Sequence, residues 1–65
     1  MNENERKLIE LEGETIVETD EAVLSDFGRD GNVWVPKIQM EDWPDKGMFG
    51  EVLIEKWIAE EKDLL

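Results

Sequence analysis

The sequence predicts a small α+β domain: an antiparallel β-meander of three to four strands with one C-terminal α-helix packed on it. Short runs of β-branched and aromatic residues recur between breaks, at Thr15-Ile16-Val17, Ala22-Val23-Leu24 and Val33-Trp34-Val35. Asp30-Gly31 tolerates positive φ and is a strong hairpin signal between two such runs. Ile54, Trp57 and Ile58 then take up the i, i+3, i+4 spacing of a helix. Sequential antiparallel strands crossed by one helix give two layers. A small, partly closed barrel is the alternative arrangement of the same strands.

The chain has 65 residues, enough for a single domain spanning 1–65. A domain of this size buries only about 60% of the surface its unfolded chain exposes. It has no Cys and no His, which removes disulfides and the usual zinc sites as sources of stability. Packing of Trp34, Trp43, Trp57, Phe27 and Phe49, or oligomerisation, has to supply it.

Residues 1–5 are polar and acidic and are expected to be disordered. They have neither the basic region nor the apolar core of a signal peptide, and no apolar run approaches the ~20 residues that span a bilayer. The expectation is a protein of the cytoplasm. Residues 6–12 suit a strand or a short helix; the Ile9–Leu11 alternation favours a strand, with a bulge or bend at Gly13. Thr15–Thr19 is a second strand and Ala22–Phe27 a third, joined by a tight turn at Asp20-Glu21.

Val33–Met40 is the most patterned stretch and reads as the central strand. Its alternation puts Trp34, Ile38 and Met40 on one face, with Trp34 and Ile38 packing on the helix that carries Trp57. Lys37 and Gln39 fall on the other face with Val33 and Val35. Pro36 cannot donate to a ladder, so it marks an edge or a bend. A loop over 41–50 holds Trp43, Met48 and Phe49. A short strand over 51–54 and a helix over 55–63 follow, with Leu64-Leu65 expected to staple the end to the core.

Three stretches together resemble a group of small uncharacterised phage and prophage proteins. They are Glu18-Thr19-Asp20-Glu21-Ala22-Val23-Leu24, Val33-Trp34-Val35-Pro36-Lys37-Ile38-Gln39 and Trp57-Ile58-Ala59-Glu60-Glu61-Lys62. The most specific piece is a V-W-[IV]-P-K-x-Q run, in which this chain has Ile38 where the group more often has Ser. The resemblance implies a phage or mobile-element accessory protein in a bacterial host cell. It implies no activity.

Composition excludes several functions. Without His, Cys or Tyr, and with Ser25 the only serine, the usual nucleophile–base pairs cannot be built, so no enzyme is expected. Asp26, Asp30 and Asn32 offer oxygen ligands near a turn, but they lack the regular series of a calcium loop, and no metal or cofactor is expected. Gly47-Met48-Phe49-Gly50 is too bulky for a phosphate cradle. The net charge of −11 disfavours direct contact with nucleic acid or an anionic membrane.

What remains is protein binding. A basic partner surface suits the charge, since opposite fields steer encounter. Glu10, Glu12, Glu14, Glu18, Asp20 and Glu21 are the candidate acidic face, with Lys37, Gln39 and Trp43 as further contact candidates. On one strand Glu10, Glu12 and Glu14 repeat every ~7 Å, close to the spacing of phosphates along a nucleic-acid strand, provided Gly13 keeps the register. The function expected is inhibition of a host nucleic-acid-binding defence enzyme, an anti-CRISPR or anti-restriction role, by carboxylates imitating phosphates. The alternative is an assembly module that forms a homodimer.

Overall fold

The computed structural model describes residues 7–65; the expectation of disorder over residues 1–5 lies outside them. Five strands form one antiparallel sheet: β1 Leu8–Glu18, β2 Ala22–Asp26, β3 Val33–Pro36, β4 Met40–Asp42 and β5 Phe49–Glu55. Their order is β3-β2-β1-β5-β4, and one helix, α1 Lys56–Glu61, follows β5. The expected antiparallel sheet with one C-terminal helix is therefore present, and the two strands expected over 6–12 and 15–19 are one continuous strand, β1.

The stretch expected to be the central strand is broken in two. Pro36 ends β3, Lys37–Gln39 make a single 3₁₀ turn, and β4 begins at Met40. This turn joins the two edge strands. In a flat sheet four steps of ~4.8 Å would hold those edges ~19 Å apart. A 3₁₀ turn rises only ~2 Å per residue. The sheet must therefore curl until its edges approach, with a concave inner face and a convex outer one.

β1 is the organising strand. It is 11 residues long and pairs with both β2 and β5. Gly13 does not interrupt it: pairing with β5 runs without a shift from Leu8 opposite Glu55 to Glu14 opposite Phe49. A Cβ at Gly13 would stand 3.0 Å from the Asp26 carbonyl oxygen and 3.0 Å from the Phe27 ring, so the glycine permits close approach of the next turn. The register shifts instead between Thr15 and Val17. The β1–β2 hairpin forms without glycine because the Thr19 Oγ1 accepts the amide of Ala22 at 3.1 Å, while the Thr19 amide donates to the Ala22 carbonyl at 2.9 Å.

The core consists of Val23, Val35, Met40, Val52, Ile54, Ile58, Ala59 and Leu64. This corrects the expected face of β3. Val35 stands opposite Val23 and points inward with it, so Trp34 points out and is 46% exposed. Ile38 rides on the 3₁₀ turn, where strand alternation no longer applies, and is 82% exposed. Trp57 is 50% exposed; Ile58 and Ala59 are the helix residues that reach the core. The helix is also shorter than the expected 55–63. It ends in a Schellman motif: the Asp63 amide donates to the Glu60 carbonyl and the Leu64 amide to the Ala59 carbonyl. Leu64 is thereby buried and Leu65 is not.

Candidate functional site

The outer face of the sheet is built by alternation. Ile9, Leu11 and Thr15 turn inward from β1, so Leu8, Glu10, Glu12 and Glu14 turn outward. On β5, Val52 and Ile54 point inward and Phe49, Glu51, Leu53 and Glu55 outward. Cross-strand partners then share rows. Leu8 lies opposite Glu55, Glu10 opposite Leu53, and Glu12 opposite Glu51. Glu14 stands between Asp26 of β2 and Phe49 of β5. Phe49 is 67% exposed.

The three glutamates of β1 thus keep an even spacing of two residues with no break at Gly13. Two of the rows hold like charges face to face, Glu12 with Glu51 and Glu14 with Asp26. No Lys or Arg relieves them from the sheet itself. Among the described residues every strand lacks a basic residue, while Glu10, Glu12, Glu14, Glu18, Asp26, Glu41, Asp42, Glu51 and Glu55 all lie in strands. The cations sit in turns, in the helix and before β1.

The remaining candidates do not extend this face. Glu18 lies beyond the β1 bulge, opposite the inward-facing Val23, and therefore leaves the row of Glu10, Glu12 and Glu14. Its carboxylate forms an ion pair with the Lys37 Nζ at 2.8 Å. It also accepts a hydrogen bond from the Trp43 indole Nε1 at 3.2 Å. The Lys37 Nζ stands 5.6 Å from the centroid of the Trp43 ring. Hydrogen bonding from Lys37, then from Trp43, holds the Glu18 carboxyl below its usual value, against a smaller opposing effect of burial. Three expected contact residues are thus brought together as a latch between β1, the 3₁₀ turn and the loop after β4. The Lys37 amide adds a 2.8 Å bond to the Glu21 carbonyl.

Lys37 and Gln39 do not project from a strand with Val33 and Val35, because Val35 is interior and the 3₁₀ turn breaks the alternation. Gln39 keeps its Oε1 buried, with no hydrogen-bond partner among the described residues. Trp43 is half-buried and packs against the core as a lid. Asp20 and Glu21 are exposed in the β1–β2 turn. Sequence reasoning named Asp26 only as an oxygen ligand and Phe49 only as a packing residue, and passed over Glu51; all three complete the outer rows. Their signal was alternation within β2 and β5, obscured because both strands carry apolar residues on both faces.

Asp26 supports its turn rather than a ligand: its Oδ1 accepts the Gly28 amide at 2.8 Å, and Gly28 and Gly31 have φ of 84° and 81°. Among the described residues no group of three acidic side chains is placed to hold a metal ion. No helix among them is long and apolar enough to cross a membrane. Compared with known proteins, the chain matches no family model, no curated protein and no solved structure.

Proposed function

We propose that the chain is a protein-binding module whose outer sheet face docks on a basic surface, with the carboxylates of Glu10, Glu12, Glu14 and Glu51 taking the place of phosphates. One observation carries this reading. Acidic residues occupy the strands and basic residues are absent from every described strand, so like charges face each other across β1 and β5. Such pairs weaken a sheet. Solubility alone needs charge, but it does not need charge of one sign gathered on one face.

A nucleic-acid-binding enzyme is the partner class whose groove matches this field. The resemblance to phage proteins supports a host defence enzyme, a restriction nuclease or a CRISPR effector, in the bacterial cytoplasm. The test is affinity capture from a bacterial lysate with the wild-type chain and with Glu10, Glu12 and Glu14 all changed to Lys. The wild type should retain a nucleic-acid-binding enzyme that added DNA displaces. Retention of the same enzyme by the triple variant would sink the reading.

Assembly is the second reading. Trp34, Ile38, Met48, Phe49 and Trp57 are large, apolar and exposed. A sedimentation coefficient that stays at the monomer value across micromolar concentrations would remove it.

A further inference from the structure

The outer face has a second region, and it is apolar. Across β1, β2 and β3 the side chains of Val17, Leu24 and Trp34 stand opposite one another in one row. Ala22 and Pro36 form the next row. Val23 and Val35, the immediate neighbours of Ala22, Leu24, Trp34 and Pro36 in sequence, are fully buried, so these four side chains turn outward, and Val17 turns outward as the cross-strand partner of Leu24. The helix does not cover them, because its buried residues Ile58 and Ala59 belong to the inner core. Neither row contains a charged residue. Acids border it on both sides: Asp26 and Glu14 make the adjacent row, and Asp20 and Glu21 lie in the turn beyond Ala22.

The geometry points to the Val17–Leu24–Trp34 row as the docking surface for an apolar side chain of a protein partner, set between basic residues of that partner. This rests on the proposed reading that the partner is basic, and it names a contact that phosphate mimicry lacks. Charge complementarity selects the occupant. A second copy of this chain would bring the same acidic border and a further net charge of −11. A purely apolar partner would strip water from the border carboxylates and leave them unpaired. An apolar anchor flanked by Lys or Arg satisfies the row and its border together. Tryptophan is a preferred anchor residue at such surfaces. The acidic rows then govern encounter and its salt dependence, and the Trp34 row governs dissociation.

The test is NMR titration of the ¹⁵N-labelled full chain with three synthetic peptides of equal length, alternating Lys–Leu, Lys–Ser and Glu–Leu. Lys–Leu and Lys–Ser should both move the amides of Glu10, Glu12, Glu14 and Glu51. Only Lys–Leu should move the Trp34 indole and the amides of Val17 and Leu24. Trp34→Ala should weaken Lys–Leu binding roughly tenfold, a factor of ten being 1.4 kcal/mol, and leave Lys–Ser unchanged. Leu24→Ser gives the same comparison if the tryptophan variant unfolds. A Lys–Leu peptide that leaves the Trp34 row unmoved overturns the proposal, as does a Glu–Leu peptide that moves it equally. Broadening at Trp34 that grows with protein concentration alone assigns the face to a second copy and also overturns it. Movement of the Trp34 row by Lys–Leu with no response to Lys–Ser supports the patch and counts against phosphate mimicry.

Discussion

Glu18 and Lys37 meet in a 2.8 Å ion pair that ties the end of β1 to the 3₁₀ turn joining the two edge strands. The Trp43 indole donates to the same carboxylate. Both bonds favour the ionised form, so the folded-state pKa of Glu18 lies below its unfolded value. A carboxyl depressed in this way contributes stability that is present above the unfolded pKa and lost as pH falls through the folded one. The wild type should therefore melt at a higher temperature than Glu18→Gln at neutral pH. The gap should close as pH drops below the usual glutamate value of 4.5. Thermal melts of both proteins at a series of pH values measure it; a gap that persists at low pH would falsify this account of the latch.

Gly13 is expected to tolerate no side chain. The atoms that a Cβ would meet at 3.0 Å include the Asp26 backbone carbonyl, which cannot rotate away. Overpacking of this kind costs about 1–3 kcal/mol, so Gly13→Ala should lower the free energy of unfolding by that amount. The urea midpoint reads it directly. A variant as stable as the wild type would mean that β1 and the Asp26–Phe27 corner separate easily.

Asp63 closes the helix at a φ of 63°, a region that costs a non-glycine residue free energy. Glycine is the usual occupant of that position in a Schellman motif. Asp63→Gly should raise stability by about 0.5–1 kcal/mol at low denaturant. Asp63→Val should lower it, since β-branched residues resist positive φ most strongly. Equilibrium unfolding of the pair tests the sign of each change.

Core position and exposed position separate sharply among the isoleucines. Ile54 is fully buried between β1 and β4, and Ile54→Ala should cost about 2–5 kcal/mol. Ile38 is 82% exposed. Ile38→Ala should stay within about 0.5 kcal/mol of the wild type. If Ile38→Ala were the more damaging, Ile38 would have to be packed rather than exposed on the 3₁₀ turn.

These positions show what the sequence could reveal. The hairpins at Asp20-Glu21 and Asp30-Gly31, the edge character of Pro36 and the terminal helix were legible from local chemistry, and over 6–12 the Ile9–Leu11 alternation favoured the strand over a helix that the residues also allowed. The faces of β3 were not. Val33, Trp34 and Val35 are apolar at consecutive positions, so periodicity alone cannot say which parity is buried. Only the pairing of Val35 with Val23 decides it, and that is a long-range fact. The glutamate row on β1 was legible because polar and apolar residues alternate cleanly over 8–12. The latch was not, because Glu18 joins Lys37 and Trp43 across 19 and 25 residues, a contact made only when the sheet curls.

The pair Glu12 and Glu51 should separate stability from binding. They are cross-strand partners of like charge on the outer face, an arrangement that destabilises a sheet by about 0.2–1 kcal/mol. Glu51→Lys converts repulsion into attraction, so the variant should be more stable than the wild type at low salt. The gain should shrink near 1 M salt, where the Debye length is about 3 Å. If the rows serve only solubility, nothing else should change. If they are the docking face, the same variant should bind a basic partner or a Lys–Ser peptide more weakly, because it places a cation in the middle of the field. Denaturation and titration on one sample therefore read the two effects with opposite signs. A variant that is more stable and binds as well as the wild type would remove Glu51 from the interface and leave its conflict with Glu12 without a functional reason.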